Sequence, residues 1–138
     1  MKNPWIAYFS ALLFLAVADL IWLGLLMNDH YQAWIGPLMR EQPLLLPAVA
    51  FYLLYPLGLV VFAILPALEK RSSLKCAALS ALFGLVAYGT YDLSNLATLK
   101  DWPWQLAMVD ILWGTALSCG AAMTGYFTAR AWGKHPRG

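Results

Sequence analysis

Four long apolar runs make up most of the chain, at roughly residues 4–27, 43–68, 74–98 and 104–131. A helix that crosses a bilayer needs about 20 mainly apolar residues, and each run supplies them. The pattern predicts an all-α fold, a four-transmembrane-helix bundle, with residues 1–138 as a single transmembrane domain. Residues 28–42 form the longest connection, and their Tyr31 and Trp34 suit a segment at the headgroup level. The connections at 69–73 and 100–103 read as tight hairpins. Lys2, the apolar stretch after it and Ala16-Val17-Ala18 imitate a cleaved signal peptide. The run continues past that site through Leu26, so the first helix is expected to be retained. Pro56 falls mid-span in the second run, where it frees the carbonyl of Tyr52, and a bend is expected there.

The polar interruptions carry the information. Of the seven acidic residues, Asp19, Asp92 and Asp110 lie inside the runs, at a cost of roughly 2.5–3.5 kcal/mol each near a helix centre. Counted from the run ends at 1.5 Å per residue, all three sit roughly 9–12 Å below the same membrane surface. On the third run Tyr88, Asp92 and Asn95 share a face by their i, i+4, i+7 spacing. Thr90, Tyr91, Ser94 and Thr98 make that half of the run polar all round, which predicts that the third helix is the most enclosed. Tyr52 and Tyr55 fall near the same level on the second run. The first and fourth runs share an Asp-apolar-apolar-Trp pattern, Asp19 to Trp22 and Asp110 to Trp113. If these antiparallel helices touch, each indole N–H is placed to reach the other helix's carboxylate, Trp113 to Asp19 and Trp22 to Asp110. Leucines at +1, +4 and +7 after both Asp19 and Asp92 hint at a two-plus-two duplication. Intramembrane Asp, Asn, Thr and Trp also serve as hydrogen-bonding glue between helices, at about 0.6 kcal/mol per contact.

Charge sets the expected orientation. Lys2, Lys70, Arg71, Lys75, Arg130, Lys134 and Arg137 fall on one side of the four runs, and only Arg40 and Lys100 on the other. This positive-inside bias predicts both termini in the cytoplasm, the three acids in the outer leaflet, and Trp102 and Trp104 at the outer interface with Trp132 at the inner one. No Lys or Arg lies in the outer half of any run. Like charges so close cannot all ionise, so at least one acid is expected to hold its proton near neutral pH.

Composition agrees with a lipid-solvated chain: 62% hydrophobic and 12% charged, half the charge of a soluble domain. A net charge of +2 gives no reason to expect a nucleic-acid partner. Cys76 and Cys119 lie at different depths, which argues against a structural disulfide and for helix packing. No zinc or iron ligand spacing occurs, so no metal or cofactor is expected, although three carboxylates suit a hard cation. His30, beside Asp29 at the outer end of the first run, is placed to relay protons but reads as a solvated loop residue, as does His135 in the basic tail. Gly84, Gly89, Gly114, Gly120 and Gly125 are expected to permit close helix approach.

Four segments carry a family resemblance: Asp19-Leu20-Ile21-Trp22-Leu23-Gly24, Phe51-Tyr52-Leu53-Leu54-Tyr55, Tyr91-Asp92-Leu93-Ser94-Asn95-Leu96-Ala97-Thr98-Leu99 and Val109-Asp110-Ile111-Leu112-Trp113-Gly114-Thr115. Through them the chain resembles the bacterial membrane-protein family of domain-of-unknown-function 2177, over nearly its whole length. The resemblance implies a small multi-pass protein of the bacterial inner membrane. It brings no established activity, only an association with genes of lipid-modifying enzymes.

Three functions fit these residues. The first is an enzyme or binding site for a lipidic small molecule, with Asp92 as acid and Asp19 and Asp110 as tuning partners. Trp22, Tyr52, Tyr55, Tyr88, Tyr91, Asn95, Trp113 and Thr115 would then line the site, and membrane lipids would be its partners. The second is a proton- or cation-coupled small transporter, as a homodimer because four short helices barely enclose a path. In the third, a scaffold or partner subunit, the acids are glue. A site that opens sideways to lipid favours the first, an aqueous funnel the second, and a filled contact the third.

Overall fold

A computed structural model describes residues 4–42 and 44–133, and Lys2, Lys134, His135 and Arg137, which the sequence assigns to the basic side and tail, lie outside them. All regular structure among the described residues is helical. The spans are Pro4–Leu26, Leu45–Lys70, Ser73–Thr98 and Trp104–Trp132, each long and apolar enough to cross a bilayer. A separate short helix, Asn28–Ile35, lies in the first connection. Ser72 caps the third span by accepting a hydrogen bond from the Lys75 amide at 3.0 Å. The second span ends at Arg71, which takes a left-handed conformation (φ 49°) to turn the hairpin.

The fourth span is the hub. It packs most extensively on the third, then on the first, and also touches the second. Within its most apolar stretch 44% of the residues are buried, against 22% for the third span, so the fourth helix and not the third is the most enclosed. Thr90, Ser94 and Thr98 remain on an exposed face of the third span. Each hydroxyl donates to the carbonyl four residues back, on Val86, Thr90 and Ser94. A hydroxyl satisfied within its own helix presents no free donor to lipid, and this is why the surface is tolerated.

Small residues set the spacing of the helices. Ala7 and Ala11 on the first span face Ala121 and Ala122 on the fourth in a core that also buries Leu15, Leu59, Ile64, Leu117 and Tyr126. At Gly84 a Cβ would come within 2.6 Å of the Gly114 carbonyl oxygen, so the third and fourth spans touch almost backbone to backbone. Gly89 has nothing within 4 Å and plays no such part. Cys76 and Cys119 are free thiols.

Two spans contain a π-helical turn, Trp22–Leu26 and Val60–Ile64. Pro56 lies inside the helical part of the second span, and the π-helical turn begins four residues after it. Below it, through Val60–Ile64 and Leu65–Lys70, the second span packs against the third. Above it the two backbones draw apart.

Candidate functional site

The parting of the second and third spans leaves a cavity of about 460 Å³. The first span contributes Asp19, Trp22 and Leu23 to it, and the fourth Asp110 and Trp113. Phe51 and Tyr55 close one side, and Ala87, Tyr88 and Tyr91 the other. Among the described residues no basic side chain lines it. Leu23, Phe51 and Tyr91 at its rim are also exposed to the surroundings of the bundle, so the cavity opens sideways, between spans.

Asp19 is held in place from two sides. The Tyr52 hydroxyl donates to Oδ2 at 2.5 Å and the Trp113 indole to Oδ1 at 3.1 Å. The Trp113–Asp19 pairing is the one the shared Asp-apolar-apolar-Trp pattern predicts. Its counterpart does not form. The Trp22 indole donates instead to the Tyr31 hydroxyl at 3.0 Å, and Tyr31 donates to Asp110 Oδ1 at 3.4 Å. The two indoles stack with centroids 4.2 Å apart and planes 3° from parallel.

Tyr31 belongs to the connecting helix, which folds over this end of the bundle. There it packs with Trp102, Leu106 and Ala107, and Trp34 and Ile35 pack against them. Trp102 is buried as part of this cap, while Trp104 and Trp132 are exposed. Burial, with the Asp110 charge added, pushes the Tyr31 hydroxyl up to about 12, against the smaller opposing effect of the Trp22 bond. Tyr31 stays protonated and serves as a donor.

Asp92 is fully buried behind Asp110 and does not line the cavity. Neither of its carboxyl oxygens finds a donor among the described residues, and its polar neighbour is the Asp110 carboxyl. A proton between the two acids gives the pair the hydrogen bond that burial demands. The three carboxylates thus form one cluster with unequal roles: Asp19 fixed by two donors, Asp110 facing the cavity, Asp92 enclosed. Among the described residues no group of acids, histidines or cysteines is arranged to hold a metal ion.

The remaining candidates separate cleanly. Trp22, Tyr55, Tyr88, Tyr91 and Trp113 line the cavity, and Tyr52 acts through Asp19. Thr115 bonds back to the Ile111 carbonyl at 2.8 Å and half-buried Asn95 stands off the lining, so neither faces the cavity. His30 is exposed against the Trp34 ring. Sequence reasoning missed Phe51, Leu23 and Ala87, whose apolar side chains carry no signal, and Ser118, which meets the Tyr55 hydroxyl at 2.5 Å. It also missed the reach of Tyr31 to Asp110, which depends on the connecting helix folding back.

The model of a family described as a predicted membrane protein, DUF2177, matches residues 5–127. The chain belongs to this family. No curated protein and no solved structure matches it. The second and third spans, all of the first but Pro4, the fourth as far as Phe127 and the whole aspartate cluster of this DUF2177 member fall inside the matched residues.

Proposed function

We propose that the cavity binds the polar part of a lipidic small molecule and that its carboxyl groups act on that molecule as acids. The carrying observation is the lateral opening: Asp19 and Asp110 face a cavity walled by aromatic rings, capped at the loop end and open between spans, where a bilayer supplies lipid and not water. Asp110 is the group placed to give a proton to a bound molecule. With a proton on Asp92, its O–H donates to Asp110 and shares the charge left behind. Asp19, fixed by Tyr52 and Trp113, and the π faces of Trp22, Trp113 and Tyr88 stabilise positive charge arising on the ligand.

We place the protein in the bacterial inner membrane with the cavity in the outer leaflet. Lys70, Arg71, Lys75 and Arg130 at one end, against Arg40 and Lys100 at the other, support that orientation. A coupled transporter needs an aqueous route to the acids, and the cap of Tyr31, Trp34 and Trp102 stands over the side from which it would come.

Total lipid extracts of cells producing the wild-type protein or Asp110→Asn, compared by mass spectrometry, test the chemistry. The expected result is one lipid class that changes with the wild type and not with the variant. Identical extracts, from proteins present in equal amounts, contradict it.

A further inference from the structure

A second hollow lies beside the aspartate cavity. Phe51, Tyr55 and Ala87 are also walls of a space of about 420 Å³ that follows the seam between the second and third spans. Leu57, Val61 and Phe62 border it on one side and Phe83 on the other. Gly58 admits the Phe83 ring across the seam, whose tip lies 2.7 Å from where a Cβ would stand. Tyr55 is the one polar side chain among its lining residues, and its hydroxyl is turned to Ser118. In a bilayer such a groove is filled by hydrocarbon.

Length and charge narrow the occupant. From Phe51 to Phe62 the seam runs roughly 16 Å at the helical rise, about half the ~30 Å hydrocarbon core and so the reach of one leaflet's chain. The hollow between the first and fourth spans, at Phe14 and Val17, shares no wall with the cavity and gives a second chain no path. At the polar end, carboxyl groups and stacked indoles with no basic lining residue repel an anionic head and suit a cation or a hydroxyl. The cap, where Tyr31 packs with Trp102, Leu106 and Ala107, stands at this polar end and favours a small head.

We infer that the two hollows together hold a single-chain amphiphile with a small, non-anionic, hydrogen-bond-donating head, its head at Asp19 and Asp110 and its chain in the seam. This rests on the reading of the cavity as a lipid site. The probe is hexadecylamine carrying a photoreactive diazirine at its terminal carbon, added to the full chain in phosphatidylcholine nanodiscs, with labelled residues mapped by mass spectrometry. Labelling is expected to concentrate on Val61, Phe62 and Phe83, to be displaced by plain hexadecylamine and not by palmitate, and to be lost in Ala87→Phe. Val61→Trp, on an exposed position that accepts a larger ring, is expected to lose it as well. Labels spread evenly over outward positions such as Leu13 and Leu93, or undiminished in both groove variants, overturn the inference. So does equal displacement by palmitate. Saturable labelling that needs Asp110 but maps away from the seam overturns the groove alone and leaves the cavity reading in place. Labelling indifferent to both Asp19→Asn and Asp110→Asn overturns both.

Discussion

Tyr31 and Trp113 each hold one acid of the cluster, Tyr31 from the connecting helix on Asp110 and Trp113 from the hub of the bundle on Asp19. Tyr31 has the clearer titration signature. Its hydroxyl ionises near 12 in the fold and at 10.0 unperturbed, so the folded protein holds this proton more tightly than the unfolded chain does. Its contribution to stability is complete below pH 10 and declines as pH rises toward 12. The tyrosinate absorbance of wild type minus that of Tyr31→Phe is expected to rise only near the upper value; a rise near 10 contradicts the buried contact. Asp92 makes the opposite kind of prediction. Among the described residues its oxygens have no donor, so Asp92→Asn supplies an amide to Asp110 and removes a buried acid. Thermal unfolding in detergent is expected to show equal or greater stability, by about 1 kcal/mol, while the lipid change attributed to Asp110 is lost. Glue predicts the reverse, a less stable protein with its activity intact. At this scale the Trp113–Asp19 bond was legible because Asp and Trp three residues apart share a helical face. Trp22 was not, because it begins a π turn that no 3.6-residue periodicity reveals and that leads into the helix carrying Tyr31.

Among the elements, the four spans were legible because only long apolar runs satisfy both the bilayer and the backbone. Their relative burial was not. Polarity suggested that the third span is enclosed, yet hydroxyls bonded to their own helix can face outward, and the fourth span's small residues, Gly114, Ala121 and Ala122 among them, make it the hub. The glycines divide for the same reason. Gly84→Ala drives a methyl into the Gly114 carbonyl, which as backbone cannot yield, and is expected to cost about 1–3 kcal/mol. Gly89→Ala meets nothing within 4 Å and is expected to leave the unfolding midpoint unchanged. Equal effects of the two substitutions would contradict the packing described for the third and fourth spans.

For the molecule as a whole, the three aspartates converge as their common depth implied, but the depth alone does not say what they face. That follows from two long-range features absent from any local pattern: the connecting helix folded over one end and the parting of the second and third spans above Val60–Ile64. Together they set the polar cluster beneath the connecting helix and beside the gap between spans, the arrangement on which the proposed lipidic ligand rests. Native mass spectrometry of the protein released from nanodiscs of its host-membrane lipids measures this most directly. One amphiphile is expected to be retained per chain, absent from Asp19→Asn and Asp110→Asn and still present in Thr90→Ala on the exposed face of the third span. Adducts that mirror the bulk lipid composition, or that persist unchanged in both aspartate variants, would contradict this expectation.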